Sequence, residues 1–306
     1  MKKPNIIKLE KQGFCYGVRR AIKIVLEAIE NDNIKKPIYL LGNLVHNSHI
    51  DELLKSLNVI VVEGEIRLTM LDNIPDGSTI VFSAHGVSQV VKDKAISKKM
   101  FIIDTTCPHV EKTFKLIENE AKTSDIYFIG KRNHPESIAA KEISDKVYIY
   151  DKDNIFNKDI DPNNLKIAYQ TTISFYDIEQ TLNDIKSIYP NAEVIDMICK
   201  VTEQRQNQLK NINNLNLKGS TLIIVVGDKK SNNSTKLYEL ACRISNTDAI
   251  FVEEVTELDL INVRLYNNIV LASGTSTPEQ LIDEIIEAIN SNENHVKSNL
   301  KNEEFK

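Results

Sequence analysis

Met100-Phe101-Ile102-Ile103-Asp104-Thr105-Thr106-Cys107-Pro108-His109-Val110 is the stretch on which the fold turns. Residues 100–104 are a short apolar run, the pattern of a buried strand. Pro108 suits the first position of a helix. Val110, Phe114, Ile117 and Ala121 then recur at helical spacing. Cys107 therefore stands between a strand and a helix, near the N-cap, where the helix dipole and free N–H groups favour a thiolate.

Working outward, Cys15 lies 92 residues before Cys107 and Cys199 lies 92 residues after it. A fixed period calls for a search for repeats, and the flanking segments repeat. Helical patterns follow Cys15 (Val18, Ala21, Ile22, Val25, Leu26, Ile29) and Cys199 (Val201, Leu209, Ile212). Strands are expected at 37–41, 125–129 and 221–226, each running into a polar cluster that opens at Gly42, Gly130 or Gly227. Helices at 50–57, 137–143 and 236–244 come next, then strands at 58–62, 146–150 and 249–252. Further strands at 79–82, 165–169 and 268–272 each end in a small polar turn. A third helix leads to strands at 100–104 and 192–196, which deliver the next cysteine; the last unit, after its helix at 279–289, has none. The N-terminal strand at 5–10 delivers Cys15 and is free to close the ring. Strands alternating with helices imply parallel sheets with right-handed crossovers, so the chain reads as α/β, in three repeated units. The units are residues 1–104, 105–196 and 197–289, followed by a polar tail, 290–306, that carries His295.

Length alone suggests about two domains for 306 residues. The repeat raises that to three. With 38 basic and 43 acidic side chains the net charge is −5, which offers no general attraction to nucleic acid or anionic membranes. Ten glycines are few, and neither a G-x-G-x-x-G nor a Walker A motif is present. None of the four cysteines forms a C-x-x-C pair. Apolar runs such as 222–226 are far shorter than the ~20 residues of a membrane span. The start, Met1-Lys2-Lys3-Pro4-Asn5, has no apolar signal segment, so a cytoplasmic protein with reduced thiols is expected.

Cys242 is out of phase and shares a helix with Leu237, Leu240, Ala241 and Ile244; it is read as a packing residue. Cys15, Cys107 and Cys199, converging on a pseudo-threefold axis, form a ligand set. Thiolates hold iron–sulfur clusters, and three of them leave one iron of a 4Fe–4S cluster open. A three-cysteine zinc site is the rival, and spacing alone does not separate the two. His46, His85, His134, Thr171, Ser231, Asn233 and Ser276 sit at strand ends. Uncharged or weakly basic donors there suit a phosphate or diphosphate. Glu136 is an acid among them and would repel that ligand, so it reads as a proton source or, more blandly, as a carboxylate favouring a helix N-terminus.

Seven motifs occur in order: Gly13-Phe14-Cys15-Tyr16-Gly17-Val18, Val45-His46-Asn47, Phe82-Ser83-Ala84-His85-Gly86-Val87-Ser88, Asp104-Thr105-Thr106-Cys107-Pro108, His134-Pro135-Glu136, Gln170-Thr171-Thr172 and Ile198-Cys199. Through them the chain, from about residue 6 to 288, resembles the 4-hydroxy-3-methylbut-2-enyl diphosphate reductase (LytB/IspH) family. The resemblance implies a trefoil of three α/β domains around a central 4Fe–4S cluster held by Cys15, Cys107 and Cys199. It implies that His46, His85, His134, Ser231, Asn233 and Ser276 hold the diphosphate, that Glu136 delivers protons, and that Thr171 and Thr202 help relay them. It also implies an allylic diphosphate substrate and an electron donor such as reduced ferredoxin or flavodoxin. The activity implied is a two-electron, two-proton reductive dehydroxylation to isopentenyl and dimethylallyl diphosphate, the last step of the methylerythritol phosphate route. Tyr16, Thr105-Thr106 and Ser273 depart from the family's commonest pattern. Asn232 stands where serine is usual; its amide still donates, and it is placed among the substrate-binding residues. Two rivals remain at this stage. A cluster-dependent hydro-lyase would need no reductant, and an iron–sulfur sensor would lack a diphosphate pocket.

Overall fold

The computed structural model describes residues 3–291 apart from 154, 158 and 196–198. The end of the strand expected at 192–196, Ile198 and the tail with His295 fall outside the described residues. The chain opens with β1 (Asn5–Lys8) and α1 (Tyr16–Glu30), then β2 (Ile38–Leu41), α2 (Ser48–Ser56), β3 (Val59–Val62), α3 (Arg67–Asp72), β4 (Thr79–Phe82), α4 (Gln89–Ser97) and β5 (Phe101–Asp104). The next segment carries α5 (Pro108–Glu120), β6 (Asp125–Ile129), α6 (Pro135–Lys141), β7 (Val147–Ile149), β8 (Leu165–Tyr169), α7 (Phe175–Ile188) and β9 (Glu193–Val194). The last carries α8 (Lys200–Lys210), β10 (Thr221–Val226), α9 (Asn232–Cys242), β11 (Asp248–Val252), α10 (Leu260–Val263), β12 (Asn268–Ser273) and α11 (Glu279–Ser291).

The strands form three four-stranded sheets, ordered β3-β2-β4-β5, β7-β6-β8-β9 and β1-β12-β10-β11. Every pairing is parallel. Parallel central strands are covered by helices on both faces and so read as unbroken apolar runs. β10, Thr-Leu-Ile-Ile-Val-Val, is buried at every position. On one face Leu222, Ile224 and Val226 pack with Ile269, Leu271, Leu281, Ile282 and Ile285. Each such side chain contributes about 1.5–3 kcal/mol by leaving water. On α1 the same logic buries Val18, Ala21, Ile22, Val25 and Leu26 along one stripe.

The N-terminal strand does not join the sheet of the segment that follows it. β1 pairs with β12, from Asn5 opposite Asn268 to Lys8 opposite Leu271, and so supplies the fourth strand missing after α11. The described chain falls into two compact units. One holds the residues up to Tyr16, His46–His49 and the described part from Lys200 onward; the other holds Gly17–Val45 and Ile50–Cys199.

Several boundaries move from their sequence-based positions. α6 starts at Pro135 rather than Ser137, and α9 at Asn232 rather than Lys236. In both cases a polar N-cap captures the first turn, through the His134 and Ser231 side chains. The short helices α3 and α10 have too few residues to show an apolar period. Cys242 is exposed, so its expected packing role is corrected: it is the last residue of α9, where the helix turns its buried face toward Leu237, Leu240 and Ala241 instead.

Candidate active site

In an open parallel sheet, ligands bind beyond the carboxyl ends of the strands, at the crevice where the order of connection reverses. Those crevices lie between β2 and β4, β6 and β8, and β10 and β12. The segments beyond these strand ends carry His46, His85, His134, Glu136, Thr171, Ser231, Asn232, Asn233 and Ser276.

At the β6/β8 crevice, Glu136 is buried in the first turn of α6. Thr171, just beyond β8, donates its backbone N–H to Glu136 Oε1 at 2.8 Å and its hydroxyl to Oε2 at 3.0 Å. Burial raises the carboxyl to about 7; the two bonds from Thr171 pull the other way without cancelling it. Glu136 thus holds a proton near neutral pH, as a general acid requires. His134 caps the same helix: its Nδ1 accepts the Glu136 N–H at 3.2 Å. Nδ1 therefore carries no proton, and the neutral ring presents Nε2–H as a donor. The His85 ring meets it edge-on, with centroids 5.2 Å apart. Gly130, at the end of β6, lies against Ser137; a Cβ there would stand 2.6 Å from the Ser137 hydroxyl.

At the β10/β12 crevice, Asn233 is buried in the first turn of α9. The Thr275 N–H donates to its Oδ1 at 2.9 Å, and its Nδ2 lies 3.4 Å from the Thr202 hydroxyl. The Ser276 hydroxyl donates to the His46 carbonyl at 3.0 Å and lies 3.4 Å from Ser231 Oγ, the cap of α9. Asn232, one residue before Asn233, is half-buried. Gly227 packs on Ser234 as Gly130 does on Ser137, leaving no room for a Cβ beside the hydroxyl.

Cys15, Cys107 and Cys199 are partly exposed, and each immediately precedes a helix: α1, α5 and α8. The Cys15 N–H donates to Thr275 O and the Cys107 N–H to Ala84 O, both at 3.0 Å. Each of these two is thus tied to the turn that follows a central strand. As donors, three accessible thiols fit an iron–sulfur cluster with one iron left without a protein ligand.

Two arginines went unread in the sequence. Arg205 of α8 is buried and donates to Gly13 O (2.5 Å), Gly274 O (2.6 Å) and Ser273 O (2.7 Å), joining the segment before Cys15 to the turn after β12. Arg67 opens α3 and reaches the β2/β4 crevice, donating to Leu41 O and Ser83 Oγ, both at 3.2 Å. Neither lies in a motif, and a lone arginine in a polar stretch looks like solvated surface.

Residues 6–290 match the model of the LytB protein family. The chain is 37% identical over 285 residues to the 4-hydroxy-3-methylbut-2-enyl diphosphate reductase of Bacillus thuringiensis (strain Al Hakam), covering 92% of this chain and 89% of that one. It is 34% identical over 287 residues to the enzyme of the same name from Symbiobacterium thermophilum, covering 92% and 96%. Among solved structures, the E-1-hydroxy-2-methyl-but-2-enyl-4-diphosphate reductase from Plasmodium falciparum superposes with a TM-score of 0.84 at 32% identity, over 94% of this chain and 88% of that one. A second structure, of (E)-4-hydroxy-3-methyl-but-2-enyl diphosphate reductase, the terminal enzyme of the non-mevalonate pathway, gives 0.64 at 25% identity over 94% and 99%. By family match, relatives and fold together, this chain belongs to the LytB protein family.

Proposed function

We propose that this chain reduces 4-hydroxy-3-methylbut-2-enyl diphosphate to isopentenyl and dimethylallyl diphosphate at a 4Fe–4S cluster held by Cys15, Cys107 and Cys199. It is an oxidoreductase of isoprenoid synthesis, and its substrate is an allylic diphosphate. Two electrons and two protons enter, the allylic C–O bond breaks, and water leaves. When bound, the cluster would supply the electrons and Lewis-acid character that makes the substrate hydroxyl a better leaving group.

The chain's own residues supply the rest. His46, His85, His134, Ser231, Asn232, Asn233 and Ser276 grip the diphosphate through uncharged N–H and O–H donors. That remote anchor orients the reacting end. Glu136 delivers a proton from its carboxyl, and Thr171 holds that carboxyl by two bonds while Thr202 supports Asn233. The observation that carries this reading is Glu136 itself: a buried acid that keeps its proton near pH 7 because of its surroundings. The division into 1–104, 105–196 and 197–289 rests on the sequence repeat; the sheets of the first two segments each lie within one segment, and the third takes β1 from the first. The electron donor belongs to the ferredoxin or flavodoxin class, and an iron–sulfur ligand set of thiolates suits the reducing conditions of a cytoplasmic setting. Among the described residues no helix is long and apolar enough to cross a membrane.

The test is anaerobic purification with iron, sulfide and zinc analysis, followed by turnover with reduced methyl viologen. A brown protein that consumes two electrons per substrate is expected. A colourless protein carrying stoichiometric zinc, or turnover without reductant, overturns the reading.

A further inference from the structure

Arg67 stands at the C-terminal edge of the sheet ordered β3-β2-β4-β5. One of its NH groups donates to Leu41 O, the last residue of β2, and the other to Ser83 Oγ, directly after β4. These two strands flank the point where the connections diverge, to β3 on one side and β5 on the other. A ligand crevice is expected at that point. In the other two sheets the matching crevice holds Glu136 with Thr171, and Asn233 with Thr275. Arg67 is thus the charged side chain occupying the third.

Its surroundings are unusual for a guanidinium. It is half-buried, and that burial pulls it down to about 10, where it still stays fully charged at neutral pH. Both of its hydrogen-bond acceptors are neutral, and they use two of five N–H groups. Glu142 acts on it through its field, yet no carboxylate among the described residues lies within the 4.0 Å of an ion pair. A half-buried cation without a close counter-charge costs stability. Bringing an anion into the adjoining crevice relieves that cost. Ser83, which Arg67 holds, lies two residues before His85 in the same turn.

We propose that Arg67 supplies the fixed positive charge of the diphosphate pocket, acting through its field. This deepens the functional reading above and rests on it. Every other side chain assigned to the diphosphate there is an amide, a hydroxyl or an imidazole. A trianionic ligand held by neutral donors alone would owe its affinity to hydrogen bonds only. With Arg67, a Coulombic share is added that depends on charge rather than on shape.

The experiment is titration of inorganic pyrophosphate into the anaerobically prepared, cluster-loaded enzyme, followed by calorimetry. Arg67→Met is expected to weaken pyrophosphate binding about 10-fold, and Arg67→Lys, which keeps the charge, to stay within about 3-fold of the parent. Inhibition by the uncharged diol 2-methylbut-2-ene-1,4-diol should be the same in all three. Arg67→Gln replaces the methionine variant should that fail to fold. Parent-like pyrophosphate binding in the neutral variant overturns the proposal. So does a lysine variant as weak as the neutral one, since shape would then matter and charge would not. A parent enzyme that turns substrate over but ignores pyrophosphate overturns this proposal alone; one that does neither overturns the functional reading beneath it.

Discussion

The crevices at β6/β8 and β10/β12 are built alike and equipped differently. The pairings Ile129 with Tyr169 and Val226 with Ser273 set the two registers in phase. Seven residues after Ile129 comes Glu136, and seven after Val226 comes Asn233. Two residues after the partner strand come Thr171 and Thr275. In one crevice the Thr171 N–H donates to a carboxylate oxygen at 2.8 Å; in the other the Thr275 N–H donates to an amide oxygen at 2.9 Å. Even the support is shared, a glycine at the strand end packed on a serine hydroxyl. The frame is therefore indifferent to whether the side chain can carry a proton. A repeat gave two equal niches that differ by one functional group: a carboxyl able to donate a proton in the proposed reaction, and an amide able to donate a hydrogen bond without repelling an anion.

Exchanging those groups breaks the comparison most severely. Glu136→Gln turns the first niche into a copy of the second. The glutamine oxygen can still take the Thr171 N–H, so fold, iron content and substrate binding should persist while turnover falls about 10²–10⁴-fold; full turnover removes Glu136 as the acid. In the parent, kcat/KM should fall as pH rises through about 7, as the acid form is lost, and the glutamine variant should lack that limb. Stability follows with a definite sign. The folded carboxyl titrates near 7, above its ordinary 4.5, so the folded state binds this proton more tightly. The linked stability is full below 4.5 and is lost as pH rises through 7, by on the order of 3 kcal/mol. Melting of the variant should therefore gain on the parent between pH 5 and pH 8.

The converse exchange, Asn233→Asp, keeps the acceptor for the Thr275 N–H and adds a negative charge. Pyrophosphate affinity should drop about 10–100-fold with iron content unchanged; parent-like affinity would place Asn233 outside the diphosphate grip. Thr171→Val sharpens the comparison more gently. It removes the hydroxyl bond to Glu136 Oε2 and leaves the backbone bond. Since that bond lowers the carboxyl's pKa, the pH limb should move upward, with turnover at pH 7 reduced less than about 10-fold. Cys242→Ser should do least: the residue is exposed, and stability should stay within about 0.5 kcal/mol. Loss of iron on that change would mean the three-thiol ligand set is wrong.

Much of this architecture was legible in the order of apolar runs and polar turns. Each of the twelve strands among the described residues falls within or beside a run read from the sequence, because buried parallel strands are short, apolar and bounded by turn residues. The ends of α6 and α9 were misplaced because their caps, His134 and Ser231, lie inside polar clusters that look like loop. The equivalence of Glu136 and Asn233 was present as a shared seven-residue offset, hidden by their difference in charge. Arg67 and Arg205 were invisible for another reason. Their significance lies in which carbonyls they reach, and those partners are as far as 192 residues away in sequence, as with Arg205 and Gly13.

The pairing of β1 with β12 has a consequence for how the molecule comes into being. Asn5 to Lys8 leave the ribosome 263 residues ahead of their partners, Asn268 to Leu271. At about 5–20 residues per second of synthesis, the first strand waits for roughly 10–50 s with its edge unmatched. The Cys15 N–H needs Thr275 in place as well. Cys15, made before Cys107, is thus held in its turn after it, so a metal centre that includes Cys15 is completed only once Thr275 has been made.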